Sequence, residues 1–221
     1  MNPNIKTIRW KVCGMKNPQN INEAAQLNPD FMGFIFYKKS PRYLVNEPNM
    51  DSIQSIDRSI QTVGVFVNEP IESLESLVNT YQLDFVQLHG GESIDYCSKV
   101  KSLGIKLIKV FSVEDSIPME EIKFYKEVVD YFLFDTKTPQ YGGSGAHFDW
   151  SILEDYNLDV PFFLSGGIKL EDLETIKNLE LPMLFAIDVN SKFETAPGLK
   201  NIELLRELDK ALQIDEHARK V

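Results

Sequence analysis

Eight short apolar stretches recur through the chain: "TIRWKVC" from Thr7, "FMGFIF" from Phe31, "TVGVFV" from Thr62, "FVQLHG" from Phe85, "KLIKVFSV" from Lys106, "YFLFDTK" from Tyr131, "PFFLSGG" from Pro161 and "LFAIDVN" from Leu184. Each has strand length, and their starts are spaced by roughly 21 to 31 residues. The segments between them carry helix starters, such as Asn17-Pro18, Glu69-Pro70 and Glu92-Ser93, and leucine or valine at helical spacing, as in Leu74, Leu77 and Val78. Strand followed by helix, eight times over without a long linker, is the sequence outline of an α/β fold of the (β/α)8 barrel type. A doubly wound open sheet also alternates strand and helix, but its first-turn glycine fingerprint is missing here. At 221 residues the chain suits one such barrel, and no Pro/Ser-rich linker marks a boundary, so residues 1–221 are expected to form a single TIM-barrel domain.

Composition narrows the function. A formal net charge of -10 leaves no basic surface for a phosphate backbone, so no nucleic-acid partner is expected. No stretch approaches the about 18 unbroken apolar residues of a membrane span. Met1 to Arg9 lacks the apolar core of a signal peptide, which predicts a cytoplasmic protein. Two cysteines, Cys13 and Cys97, fall in different structural units and are expected to stay reduced. His89, His147 and His217 lack ligand spacing, so neither a metal nor an organic cofactor is expected.

In a barrel of this kind, function gathers in the loops that follow the strands. The strand ends here offer Cys13-Gly14, Arg42 after Ser40-Pro41, Asn68, His89-Gly90-Gly91, Asp135, Ser165-Gly166-Gly167 and Asp188. Three stretches look like parts of one phosphate cradle: "GGSG" with Gly143, Ser144 and Gly145, "SGG" with Gly166 and Gly167, and "DVNS" with Asp188, Asn190 and Ser191. Glycine lets backbone N–H groups approach an anion closely, and a helix start adds partial positive charge. Cys13 is either a small apolar filler or a placed thiol, and Asp135 either a turn aspartate or a working carboxyl. Facing each other across a barrel mouth they would make a base and acid pair, with Lys11, two residues before Cys13 and on its side of the strand, as a cation to tune the thiol.

Taken together, "KVCGMKNP", "FMGFIFYKKSPRYL", "VGVFVN", "VQLHGGES", "LFDTKTPQYGGSGAHFDW", "FFLSGGI" and "AIDVNSKFETAPGLKN" resemble phosphoribosylanthranilate isomerases, in order and over nearly the whole chain. The resemblance implies an eight-fold barrel that catalyses the Amadori rearrangement of N-(phosphoribosyl)anthranilate to carboxyphenylamino-deoxyribulose phosphate in tryptophan biosynthesis. It makes Cys13 the general base and Asp135 the general acid. It gives Arg42 the anthranilate carboxylate, adds His89 and Asp188 to the substrate contacts, and assigns the phosphate to Gly143, Ser144, Gly145, Gly166, Gly167, Asn190 and Ser191. Cys13 is then expected to be reactive and partly exposed, with Gly14 leaving room for substrate. The last loop reads "NSKFE" where the family usually has Ser-Gly-Val-Glu, so Lys192 stands at a glycine position. Either the loop differs locally or the lysine adds a cation near the phosphate. Another phosphosugar barrel enzyme, or a silent barrel that binds a phosphorylated metabolite, is the alternative function. Monomer and homodimer remain open, because an apolar outer helix face suits packing on the barrel as well as a subunit contact.

Overall fold

The computed structural model describes residues 8–44, 48–136 and 148–218. Eight parallel strands, β1 (Arg9–Val12), β2 (Phe31–Ile35), β3 (Gln61–Phe66), β4 (Phe85–Leu88), β5 (Lys106–Val113), β6 (Tyr131–Thr136), β7 (Phe162–Leu164) and β8 (Leu184–Val189), pair in sequence order. β1 pairs with β8 as well as with β2, Trp10 lying opposite Ile187, so the sheet closes and the open-sheet alternative is ruled out.

The helices between strands start where the local chemistry says they should. In α1 (Pro18–Ala25) the Asn17 side chain accepts from Asn20 N at 3.0 Å with proline in the first turn, and in α4 (Ile94–Ser102) Ser93 accepts from Tyr96 N. The other helices are α2 (Pro48–Gln54), α3 (Ile71–Tyr81), α5 (Met119–Ile122), α6 (Leu173–Asn178) and α7 (Ile202–Ala218). The expected helix between β6 and β7 is not seen among the described residues, which hold only a 3-10 segment, Trp150–Asp155. The Asp149 carboxylate accepts from both Ser151 N and Ser151 Oγ, a two-residue turn that tightens the chain. Beyond β8 the chain adds an antiparallel hairpin, β9 (Glu194–Ala196) and β10 (Leu199–Lys200), which the strand count in the sequence did not include.

Strand alternation divides each strand between two cores. On β1, Trp10 and Val12 face the helices, which places Lys11 inside the barrel. The floor of the interior is apolar: Phe31, Val63, Phe85, Ile108, Leu133, Phe163 and Ala186 form one cluster, with Phe31 edge-on to Phe85 and Phe163 at centroid distances of 5.4 and 5.2 Å. Burying each phenylalanine contributes about 1.5–3 kcal/mol. Two residues further along several of these strands the inward position turns polar: Phe85 gives way to Gln87, Leu133 to Asp135 and Ala186 to Asp188. The opposite rim is closed by carboxylates, each one residue before an even-numbered strand. Asp30, Asp84 and Asp130 accept from the backbone N–H of Trp10, Thr62 and Leu107 on the preceding strand. Both cysteines are free thiols, with Cys97 buried in α4. Among the described residues no helix is long and apolar enough to cross a membrane.

Candidate active site

The carboxyl ends of the strands surround a cavity lined, among others, by Cys13, Gln87, His89, Asp135, Gly166, Asp188, Asn190 and Ser191. Lys11 lies beneath it with no exposed surface, and its ammonium donates to Asp188 Oδ2 and to Gln87 Oε1, both at 3.0 Å. Burial works against that charge, but the Asp188 carboxylate and the Cys13 sulfur outweigh it, and Lys11 ends above the ordinary lysine value. Burial likewise pushes the Asp188 carboxyl up, with Lys11 pulling the other way.

Cys13 differs from its expectation. It is 4% exposed rather than partly open, and burial pushes its thiol above the usual value; Lys11 and Lys200 pull it down and Asp188 pushes it up. Lys11 is the tuning cation that the sequence proposed, yet desolvation by burial outweighs its pull. Sγ packs beside Gly33 of β2, where an added Cβ would lie 2.8 Å from the sulfur and 3.1 Å from Lys11 Cε. Gly14, at φ +75°, also plays a different part from the one expected. A Cβ there would lie 2.7 Å from Arg42 Cδ and 2.8 Å from Asn190 Oδ1, so the space it leaves belongs to two side chains.

Asp135 ends β6 with its side chain about a quarter exposed. Its Oδ1 accepts from Thr136 N at 2.9 Å, and Oδ2 lies 3.4 Å from His89 Nε2. The other ring nitrogen, His89 Nδ1, is 3.4 Å from Gln87 Nε2. The loop that carries His89 is pinned by Glu92, which accepts from Asn68 N and Gly90 N and pairs with buried Lys109 at 3.0 Å. Asn68, one of the strand-end residues of the sequence, therefore braces this loop through Gly91 N as well.

Arg42 is buried, and its Nε and Nη2 donate to both oxygens of Glu194 at 2.7 to 3.1 Å. Lys200 joins them, with Nζ 2.6 Å from Glu194 and 2.7 Å from Asn190 Oδ1. Burial acts against the Glu194 charge, but hydrogen bonds from Arg42 and the charge of Lys200 hold its carboxyl below the ordinary glutamate value. Sequence reasoning missed Glu194 and Lys200: both come from the β9–β10 hairpin, and nothing in their local sequence marks them as charges to be buried.

Residues 10–211 match the family described as N-(5'phosphoribosyl)anthranilate (PRA) isomerase. The chain belongs to that family. It is 47% identical over 197 residues to N-(5'-phosphoribosyl)anthranilate isomerase of Parabacteroides distasonis, covering 89% of both chains, and 41% identical to that of Phocaeicola vulgatus, covering 86% of this chain and 91% of the relative. The crystal structure of phosphoribosyl anthranilate isomerase from Thermotoga maritima superposes with a TM-score of 0.83 at 36% identity, covering 93% of this chain and 98% of that one. A second solved isomerase, in complex with reduced 1-(o-carboxyphenylamino)-1-deoxyribulose 5-phosphate, superposes with a TM-score of 0.79 at 31% identity over the same shares.

Within this isomerase-family barrel the loops after β7 and β8 meet at the cavity. Gly166 and Gly167 have φ of +99° and +72°, and a Cβ on Gly166 would fall 2.3 Å from Thr136 Oγ1, so this turn requires glycine. Gly143, Ser144 and Gly145 lie outside the described residues. Ser191 opens a 3-10 turn, Ser191–Phe193, that contains Lys192. Among the described residues only Asn28, Asn68 and Gln82 have positive φ without being glycine, so Lys192 sits in an ordinary backbone conformation. The departure from the family's glycine therefore carries no backbone strain.

Proposed function

We propose that Cys13 is the base and Asp135 the acid of an Amadori rearrangement in which N-(5'-phosphoribosyl)anthranilate becomes 1-(o-carboxyphenylamino)-1-deoxyribulose 5-phosphate. The observation that carries the assignment is that the thiol from the end of β1 and the carboxyl from the end of β6 line one cavity together with Gly166, Asn190 and Ser191. The protonated Asp135 carboxyl gives its proton to the ring oxygen as the C1–O bond breaks, and the nitrogen lone pair forms a C=N+ bond. That cation acidifies the C2 proton, the Cys13 thiolate removes it, and the electron pair becomes a C1=C2 double bond. Ketonisation of this enolamine gives the amino ketose. Cys13 enters the step as the thiolate, its proton already released to solvent; Lys11 and the positive nitrogen that develops on the substrate favour that form, offsetting the burial that pushes the thiol up.

The remaining groups hold the two anionic ends of the substrate. Arg42 takes the anthranilate carboxylate, and the turns at Gly166, Gly167, Asn190 and Ser191, with Gly143, Ser144 and Gly145, take the phosphate. Asp188 lines the cavity, and its Oδ1 is buried without a hydrogen-bond partner among the described residues, which suits it to accept from a sugar hydroxyl. The direct test is to mix the purified protein with freshly prepared phosphoribosylanthranilate and follow the loss of anthranilate-type fluorescence. Decay no faster than in buffer rejects the proposal.

A further inference from the structure

Between Cys13 and Asp135 runs a chain of side chains, Lys11, Gln87 and His89, of which the reaction above uses only Lys11. Its first link is directional. A lysine ammonium can only donate, so the Gln87 atom 3.0 Å from Lys11 Nζ must be the carbonyl oxygen, which orients the whole amide. The amide's NH2 group then faces His89 Nδ1 at 3.4 Å. An NH2 group can only donate, so Nδ1 must be the lone-pair nitrogen and the ring proton must sit on Nε2. That nitrogen is the one 3.4 Å from Asp135 Oδ2. Reversing the amide would set its NH2 against the ammonium, and Lys11 is itself fixed by Asp188, its partner on the neighbouring strand β8.

We propose that Gln87 is a positioning residue that holds His89 in the Nε2–H tautomer, so that the imidazole presents a donor to Asp135 and fixes the carboxyl's orientation toward the cavity. Thr136 N occupies the other oxygen, so a proton on Nε2 would give the carboxyl a donor at each end. The importance of this hold for turnover rests on the acid role given to Asp135 above; the tautomer does not.

The test compares the wild type with Gln87→Glu. That substitution keeps an oxygen for Lys11 but replaces the donor facing His89 with an acceptor. In 15N-histidine-labelled protein, the His89 signals are those lost in His89→Gln. The wild type should show a proton on Nε2 and a bare Nδ1, and Gln87→Glu should move a proton onto Nδ1. Turnover of Gln87→Glu should fall by about 10- to 100-fold, as expected for a misplaced reacting group, with KM changed much less. A proton on Nδ1 in the wild type overturns the proposal without need of the variant. So does a Gln87→Glu protein whose His89 has gained the Nδ1 proton while kcat stays at the wild-type value. Full activity of an Asp135→Asn protein would instead reject the acid assignment and leave the tautomer result standing.

Discussion

Replacing Lys11 with methionine removes the cation at the centre of the site while keeping its bulk. The ammonium is fully buried and lies 3.0 Å from Asp188, whose side chain is 5% exposed, so the variant leaves a carboxylate in the barrel without its counter-charge. Breaking a buried pair from one side costs about 3–5 kcal/mol. The cost should depend on pH in a definite sense. Burial already holds the Asp188 carboxyl above its ordinary value with Lys11 as counterweight, so removing Lys11 raises it further. A carboxyl whose folded pKa exceeds its unfolded value, about 4, gives full stability below that value and loses it as pH rises through the folded pKa. The deficit of Lys11→Met against the wild type should therefore grow as pH rises from the ordinary carboxyl value, about 4, into the alkaline range, by about 1.4 kcal/mol for each unit of additional rise. Urea unfolding of both proteins across that range measures it. A deficit of about 1 kcal/mol or less at the alkaline end, the range of a solvent-exposed pair, or one that is flat with pH, would refute the buried-pair account.

Further outcomes follow from the same geometry. Glu194→Gln takes the charge from the group that holds Arg42 and Lys200; it should cost about 3 kcal/mol in urea unfolding at neutral pH and raise KM, and unchanged values of both would remove Glu194 from the positioning of Arg42. Lys192→Gly should lower stability by about 0.5–1 kcal/mol, because Lys192 needs no positive φ and glycine adds only chain entropy; a gain in the melting midpoint would show that the lysine is strained after all. Alkylation of Cys13 by iodoacetamide should be slower than that of a free thiol at neutral pH and accelerate as pH rises past the ordinary thiol value, since burial holds the proton on; fast alkylation at neutral pH would contradict this.

The barrel was legible because its evidence is local and repeated. Each apolar run is long enough for one strand, and starters such as Asn17-Pro18 and Ser93 cap helices in the structure as they read in the sequence. Strand parity also placed Lys11 on the side of Cys13, and the structure has Lys11 on the inner wall, in reach of the Cys13 sulfur. What the sequence could not supply was burial and long-range pairing. Cys13 reads as an open thiol at a strand end, but it is 4% exposed, its sulfur packed against Gly33 on the β2 wall, a neighbour distant in sequence. Arg42 reads as a free guanidinium, yet its partner Glu194 lies 152 residues away on a hairpin too short to carry a strand signal. The family's glycine at the Lys192 position does not reveal whether the backbone there needs positive φ, and the structure shows that it does not.

The central claim is that Cys13 and Asp135 perform the proton transfers while other groups bind. Steady-state turnover of Cys13→Ser and Asp135→Asn, measured beside the dissociation constant of a product analogue, tests it most directly. Turnover should fall by about a thousandfold or more in each variant while analogue affinity stays within about tenfold. Wild-type turnover in either variant would contradict the account.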